Sequence, residues 1–360
     1  MTEPLVELRA VRKAYGDVIA VDNVSLSIER GKFLVLLGPS GSGKTTLLSI
    51  LGGFTAPTSG QVHIAGEDVT FVPPARRPTV TVFQDYALFP HMTVHDNVAF
   101  GLVMRRVARA ERRRRVEQAL GVVGLEGFGK RRVHQLSGGQ RQRVALARAI
   151  VVEPDVLLLD EPLGALDLKI RQQMQEELVH LQRELGTTFV HVTHDQDEAL
   201  NVGDAIAVMN QGRIEDYGPP ERVYLRPASL FAATFMGDSN ILSGTATADE
   251  GNNVRVDTPL GPVVVARRSE GGTRANGAKV HVSIRPEHIR IGPAQGDGVL
   301  SLGEATLTEV VFQGAHRRCH ARSHGGQVEL ILRLPPEQVV AVGDTVPIRA
   351  RAADLVLLND

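Results

Sequence analysis

Two glycine-rich stretches in the first half of the chain have the composition of phosphate-binding segments. The first fits the full pattern G-x-x-x-x-G-K-S/T, in which glycines let backbone N–H groups surround an anion. It consists of Gly38-Pro39-Ser40-Gly41-Ser42-Gly43-Lys44-Thr45. The apolar run Phe33–Leu37 precedes it as a predicted strand, and Thr46–Leu51 follows as a predicted helix that ends at Gly52-Gly53. We therefore expect this loop and Thr46 to bind a nucleotide's phosphates, with Lys44 at the β/γ-phosphates and Thr45 on Mg²⁺.

The second stretch is Leu136-Ser137-Gly138-Gly139-Gln140. Ser137 and Gln140 have the spacing of a capping box, which predicts a helix from Arg141 onward. Gly138 and Gly139 would occupy its first turn, where each costs up to about 1 kcal/mol relative to alanine. Paired glycines at a helix start let the backbone approach an anion closely. A capped helix with a flexible entry remains the alternative for these five residues alone.

Further polar side chains follow three other apolar runs, each at the point where the predicted strand ends. The runs are Thr79–Phe83, Val156–Leu159 and Phe189–Thr193. They are followed by Gln84, by Asp160-Glu161 and by His194. Carboxyl ends of parallel strands meet at one edge of a sheet, where ligands bind. We expect Asp160 and Gln84 to serve Mg²⁺, Glu161 to polarise the attacking water and His194 to contact the γ-phosphate.

Composition limits the function classes. The chain has 360 residues, 42% of them hydrophobic, one cysteine and a formal net charge of −1. One cysteine excludes an internal disulfide, and near-zero charge argues against nucleic acid as a partner. A basic run, Arg105, Arg106, Arg109 and Arg112–Arg115, is therefore interpreted as a solvated helix face. His316, Cys319 and His320 are interpreted as part of an exposed β-hairpin rather than as a metal site.

The order of predicted elements divides the chain in two. Residues 1–236 alternate strand-like and helix-like segments, which predicts an α/β domain with a largely parallel sheet and a helical subdomain at about 86–155. Residues 240–360 have short strands separated by Gly and Pro, which predicts a small β-barrel. The predicted boundary lies at Met236–Asn240. Apolar runs are strand-sized and no signal-peptide region is evident, so we expect any membrane role to come through a partner.

Together these motifs resemble the nucleotide-binding subunit of ATP-binding cassette (ABC) transporters, over almost the whole chain. The resemblance implies a P-loop NTPase fold and a protein that binds ATP together with Mg²⁺. Further matches are Gly164-Ala165-Leu166-Asp167, Thr193-His194-Asp195 and Tyr15, which corresponds to the family's adenine-stacking aromatic. Gly164 departs from the family, which often has serine there. Ser283-Ile284-Arg285-Pro286-Glu287-His288 resembles the TOBE domain of importer-type subunits.

The resemblance also implies partners. Two copies would meet head to tail, so that Ser137 and Gly139 of one complete the site around ATP held by the other. The resemblance also implies that Gly138, Gln140 and Asp167 bind ATP. Two membrane-spanning permease subunits would dock on the helical subdomain, with an extracytoplasmic solute-binding protein in the full complex. The chain would then lie peripherally on the cytoplasmic face of the cell membrane.

The transported solute is a separate inference. The segments Phe83–Leu102 and Lys169–Ala199 are similar to those of spermidine/putrescine importers. Importers of ferric iron, sulfate and sugars share much of this sequence and remain alternatives. The alternative class is a soluble ABC ATPase that acts on DNA or ribosomes. An exporter cassette or a nucleotide kinase fits less well, because the first lacks the C-terminal β domain and the second needs no Leu136–Gln140 stretch.

Overall fold

The computed structural model describes residues 4–164, 168–250, 253–266, 277–323, 325–326 and 328–358. The chain forms two compact units, Met1–Pro220 and Glu221–Asp360. Within the described residues, no helix is both long and apolar enough to cross a bilayer.

Among the described residues, the first unit contains ten strands and six α-helices. The strands are β1 (Val6–Tyr15), β2 (Val18–Ile28), β3 (Phe33–Leu37), β4 (Ser59–Ile64), β5 (Glu67–Asp68), β6 (Thr79–Val82), β7 (Val156–Asp160), β8 (Thr188–Thr193), β9 (Ala205–Asn210) and β10 (Arg213–Gly218). The helices are α1 (Lys44–Gly52), α2 (Val94–Met104), α3 (Arg109–Val122), α4 (Gly138–Ile150), α5 (Leu168–Leu185) and α6 (Gln196–Val202).

The predicted parallel sheet is present. Its strand order is β10-β9-β3-β8-β7-β6, in which β9, β3, β8, β7 and β6 run parallel and β10 pairs antiparallel with β9. All five residues of β3 and all six of β8 are buried. Strands covered on both faces are typically rich in apolar residues, and β3 is apolar throughout, whereas β8 also contains Thr188, His191 and Thr193.

A second, antiparallel sheet was not predicted. Its order is β2-β1-β4-β5, and it shares a core with α1 and the parallel sheet. In β1 the inward residues Val6 and Leu8 alternate with more exposed neighbours. That period-2 alternation is the signature of a strand with one face on the core.

Helix α1 fixes the phosphate-loop geometry. It begins directly at Lys44 and ends at Gly52, and Gly53 then caps it in a left-handed conformation, with its N–H donating to the carbonyl of Ile50. Leu47, Ile50 and Leu51 are buried against the sheet core. The predicted helix and its glycine stop are thus confirmed.

Helices α2, α3 and α4 lie between β6 and β7 along the chain, where the sequence predicts a helical subdomain. The basic run covers much of α3, and its arginines pair with glutamates on the same helix. Arg113 pairs with Glu117, and both Arg114 and Arg115 pair with Glu111. These i,i+3 and i,i+4 pairs are typical of a solvated helix face, as expected.

The second unit combines two short helices with two five-stranded sheets. The helices are α7 (Pro220–Leu225) and α8 (Leu230–Phe235). The strands are β11 (Asn240–Glu250), β12 (Asn253–Thr258), β13 (Gly261–Ala266), β14 (Lys279–Ile284), β15 (Arg290–Ile291), β16 (Val299–Phe312), β17 (Arg317–Ser323), β18 (Glu329–Leu334), β19 (Thr345–Arg351) and β20 (Leu355–Leu358). The sheets have orders β13-β12-β11-β14-β20 and β15-β19-β16-β17-β18, and every pairing in them is antiparallel.

The division at Pro220 precedes the Met236–Asn240 boundary predicted from the sequence. Arg285, which is 2% exposed, explains the difference. Its guanidinium donates to the carbonyls of Tyr224 and Ala233, at 2.7–3.1 Å, and also to those of Gly237 and Asp238. Arg285 therefore attaches both α7 and α8 to the β domain. The sequence pattern placed them in the first domain because they are helical and the strand-like pattern begins only after them.

The predicted hairpin around Cys319 is present, formed by β16 and β17, but its cysteine is not exposed. Cys319 is 0% exposed and belongs to the core of the second unit. It faces inward from β17, where a free thiol packs as a small hydrophobe. Burial raises its pKa, which further lowers its reactivity.

Candidate functional site

The carboxyl ends of four adjacent parallel strands carry the predicted chemistry. In sheet order, β3 leads into the glycine-rich loop, β8 ends before His194, β7 ends at Asp160 and β6 ends before Gln84. Parallel pairing aligns these ends at one edge, because Leu37 pairs with Thr193 and Asp160 with Val192. The sheet thus brings together side chains that are far apart in sequence.

Two glycines of the loop are required by close backbone packing. A Cβ on Gly38 would lie 2.2 Å from the carbonyl oxygen of Met209, and one on Gly43 would lie 2.2 Å from that of Ala20. Gly43 also has φ +100°. Gly41 has φ +79° but open space around it. Glycine is therefore needed at Gly43 both for its positive φ and for the close backbone contact, and at Gly41 for its positive φ alone.

Lys44 lies within the loop and is 5% exposed. Its ammonium donates to the carbonyl oxygens of Gly38 and Pro39, both at 2.8 Å, and lies 3.4 Å from the hydroxyl of Ser42. Burial lowers its pKa, while the nearby carboxylates of Glu161 and Asp160 oppose that shift. The ammonium is held where a bound phosphate would meet the loop.

Thr45 and Asp160 present oxygen atoms to the same point. The hydroxyl of Thr45 lies 3.4 Å from Asp160 Oδ1. Burial raises the pKa of Asp160, and the Thr45 contact partly offsets this. A hydroxyl and one carboxylate suit Mg²⁺, which keeps several waters and binds phosphate oxygens as well. The donor set therefore fits the predicted metal.

Glu161 and His194 are in contact across the ends of β7 and β8. The Nδ1 atom of His194 lies 3.2 Å from Glu161 Oε2. Glu161 has φ +43°, a left-handed conformation that is uncommon for a residue with a side chain. Its N–H donates to the carbonyl of Val192 at 3.1 Å, which ties the strained residue to the neighbouring strand. The strain and the tie together fix the direction of the carboxylate.

Gln84 and the Glu161 carboxylate both lie near Gly164. A Cβ built on Gly164 would lie 3.9 Å from both Gln84 Nε2 and Glu161 Oε2, in ordinary van der Waals contact. Gln84 is exposed. The position that departs from the family's common serine is thus beside the catalytic candidates and has room for a side chain.

Tyr15 ends β1 with its ring 52% exposed. The ammonium of Lys13 lies 4.8 Å from the ring centroid. Such an exposed aromatic can stack on a nucleotide base, and the role of Tyr15 at the adenine stays a prediction. Asp167, by contrast, lies outside the described residues.

The capping box at the start of α4 is present. The hydroxyl of Ser137 accepts from the N–H of Gln140 at 3.3 Å, and the Gln140 side chain accepts from the N–H of Ser137 at 3.1 Å. Within the described part of the chain, no hydrogen bond or ion pair joins this segment to the loop at Gly38–Thr45. Gly138 and Gly139 lie in the first turn of a 13-residue helix, where an anion is favoured.

Sequence reasoning missed a buried network behind His194. Glu198 is 4% exposed and accepts hydrogen bonds from Thr193 and His191, the latter at 2.9 Å. Asp195, next to His194, pairs with Arg171 at 3.0 Å. The i,i+3 spacing of Asp195 and Glu198 is typical of a helix start, and Asp195 is indeed the N-cap of α6. No sequence signal indicates the contacts with His191 and Arg171.

Comparisons with known proteins identify the family of this chain. A family model described as ABC transporter matches residues 21–164, and one described as TOBE domain matches residues 282–358. A protein of Rubrobacter xylanophilus is 50% identical over 321 residues, 89% of this chain and 84% of its own length. One of Pseudomonas aeruginosa is 53% identical over 330 residues, 88% of this chain and 90% of its own. Each of the two relatives is named spermidine/putrescine import ATP-binding protein PotA.

Solved structures resemble the first unit. The cbiO1 part of the ABC transporter complex cbiONQ from Clostridium perfringens gives a TM-score of 0.58 at 33% identity, covering 61% of this chain and 90% of that chain. A dimeric ATP-binding cassette in a post-hydrolysis state, bound to ADP and Pi, gives 0.53 at 36% identity, covering 60% and 98%.

Proposed function

The chain belongs to the ATP-binding subunits of ABC transporters, and from this premise we propose that it hydrolyses MgATP to drive import of a polyamine such as spermidine or putrescine. One observation carries the ATPase part: adjacent parallel strand ends bring Lys44, Asp160, Glu161 and His194 to one edge of the sheet. The names of relatives about 50% identical over most of the chain support the substrate.

In this proposal each side chain has a separate task. Lys44 and the loop's N–H groups hold the phosphates, while Thr45 and Asp160 hold Mg²⁺, which neutralises charge on the phosphate oxygens. Glu161 orients and polarises the attacking water, and His194, held by Glu161, contacts the γ-phosphate. Catalysis consists of positioning and charge stabilisation, since phosphoryl transfer leaves the protein little covalent chemistry to do.

The active form is a dimer that works with membrane permease subunits. Ser137, Gly138, Gly139 and Gln140 of one copy meet the γ-phosphate held by the other, and Tyr15 stacks on the adenine. The glycines at the start of α4 support this role, because no hydrogen bond or ion pair among the described residues joins this segment to its own chain's loop. Gln84 connects the site to the helical subdomain, where two permease subunits dock. A solute-binding protein completes the complex on the other side of the membrane.

A glutamine at position 161 tests the ATPase. Glu161→Gln keeps the shape of the side chain but removes the charge that polarises water, so turnover should fall by about 10²–10⁴-fold. ATP binding and ATP-dependent dimerisation should persist, measured by equilibrium binding and by light scattering. Glu67→Gln, an exposed glutamate on β5, is the matched control and should leave turnover unchanged. Near-normal turnover in Glu161→Gln would refute the assignment.

Uptake measurements test the solute. The complex with its permease subunits and its solute-binding protein, reconstituted in vesicles, should take up labelled spermidine or putrescine only with ATP on the side of this subunit. Ferric iron, sulfate and sugars are the comparison solutes. Polyamine uptake no greater than that of an ATP-free vesicle would overturn the polyamine assignment, while uptake of another solute would replace it.

A further inference from the structure

The segment after Gln84 contains two consecutive residues in a left-handed conformation. Tyr86 has φ +63° and Ala87 has φ +43°. Neither is glycine or asparagine, the residues that adopt this conformation readily, so the turn stores backbone strain. Such strain persists only where surrounding contacts impose the conformation, and it is found at functional sites.

Arg148 supplies the imposing contacts. Its guanidinium donates to the carbonyl oxygens of Ala87 and Tyr86, each at 2.7 Å. It also lies 5.7 Å from the centroid of the Phe89 ring. These partners are 61 and 62 residues away in sequence. Two short, directed bonds to consecutive carbonyls fix the orientation of both peptide groups, which a single point charge would not do.

The same turn touches the segment that carries the proposed catalytic glutamate. The side chain of Tyr86 is buried, and its hydroxyl donates to the carbonyl of Pro162 at 3.2 Å. Pro162 directly follows Glu161, whose backbone is itself left-handed. The strained turn is therefore attached on one side to Gln84 and on the other to the peptide after Glu161.

We propose that Arg148 is a positioning residue for ATP hydrolysis, which holds the Tyr86–Ala87 turn so that Gln84 and Glu161 keep their places at the reacting phosphate. This rests on the function proposed above and names a residue that it leaves out. Arg148 lies on α4, the helix that begins at the Ser137–Gln140 capping box. It follows Gly138 by ten residues (148 − 138), about 15 Å along the axis. One rigid helix thus joins the surface that meets the partner's ATP to the turn behind Gln84.

Arg148→Lys is the direct test, because it keeps the charge and removes the two-pronged donor. The isolated protein's kcat for ATP should fall about tenfold, since a small displacement of catalytic groups has effects of this size or larger. The KM for ATP should change less than about twofold, because the phosphate loop is untouched. Arg105→Lys is the matched control: Arg105 also donates to a backbone carbonyl, that of Val152 at 2.7 Å, yet does not touch the turn.

A glycine substitution distinguishes positioning from mere support of the fold. Ala87→Gly lets the backbone adopt the left-handed conformation without strain, so it should restore part of the kcat lost in Arg148→Lys. Tyr86→Phe removes only the bond to Pro162 and should lower kcat by about three- to tenfold on its own. Combined with Arg148→Lys, it should lower kcat by less than the product of the two effects.

The outcomes separate this inference from the function on which it rests. A wild-type protein that hydrolyses no ATP refutes the proposed function. An active wild type in which Arg148→Lys retains full kcat, or loses no more than Arg105→Lys, refutes the role of Arg148 alone. A kcat loss that Ala87→Gly leaves unchanged, accompanied only by a lower melting temperature, overturns the positioning role as well.

Discussion

Gly43 and Gly41 of the phosphate loop form a natural comparison, because alanine at each would meet a different obstacle. Gly43→Ala forces a side chain into φ +100° and brings its Cβ within 2.2 Å of the Ala20 carbonyl oxygen. Gly41→Ala faces only the backbone conformation, since no atom lies within 4 Å of its Cβ. We predict that Gly43→Ala destabilises the protein more than Gly41→Ala does.

The expected free energies follow from these contacts. A left-handed alanine costs about 1–2 kcal/mol, which is the whole effect at Gly41. At Gly43, displacement of the Ala20 backbone adds about 1–3 kcal/mol, because a β-strand carbonyl cannot rotate away as a flexible side chain can. The free energy of unfolding should fall by about 2–5 kcal/mol for Gly43→Ala. The two variants should thus differ by about 1–3 kcal/mol.

Urea unfolding followed by circular dichroism, without nucleotide, measures this difference. At a slope of about 1–3 kcal/mol/M, the midpoint for Gly43→Ala should lie on the order of 1 M below that for Gly41→Ala. Nucleotide is left out because ligand binding would stabilise the variants unequally. Equal midpoints for the two alanine variants would refute the argument that the contact with Ala20 requires glycine.

Three further predictions concern other parts of the chain. Ser137→Arg should abolish ATP-dependent dimerisation, measured by light scattering, while ATP binding stays intact. The control Thr93→Arg, which removes the N-cap of α2, should leave dimerisation intact. A loss of ATP binding in Ser137→Arg as large as the loss of dimerisation would contradict the cross-dimer role. Burial raises the pKa of Asp160, so the stability of the native state falls as the pH rises through that pKa. Asp160→Asn should therefore have a higher melting temperature than wild type near neutral pH without nucleotide, yet lose Mg²⁺-dependent ATP binding. A lower melting temperature would contradict the expected direction of the stability change. Arg285→Met leaves several buried carbonyls unpaired and should lower the unfolding free energy in urea by about 3–5 kcal/mol, against less than about 0.5 for the exposed Arg290→Met.

The sequence predicted those parts of the fold that depend on local pattern. The strand Phe33–Leu37 and the segment Val156–Leu159 of β7 are continuous apolar runs, and the helix from Lys44 ends at a glycine, as expected. Parallel pairing then gathers Asp160 and His194 at one edge, which follows from topology alone.

Features that depend on distant contacts could not be predicted in this way. Tyr86 and Ala87 carry no residue type that signals a left-handed turn, because their conformation is imposed by Arg148 from another helix. Cys319 is buried because its position on β17 faces the core of the second unit, and the local sequence does not indicate which face of the strand is inward. In each case the deciding partner is remote in sequence.

The hydrogen bonds from Arg285 to the helices that precede the β domain have a consequence for recombination between related chains as well as for folding. A crossover near residue 238 would place this arginine against helices from another parent, and its hydrogen bonds would form only if the main-chain carbonyls there lie where those of Tyr224 and Ala233 lie here. A junction near residue 220 would carry the helices and the arginine together. We therefore expect functional chimaeras between relatives to tolerate crossovers near residue 220 better than crossovers near residue 238.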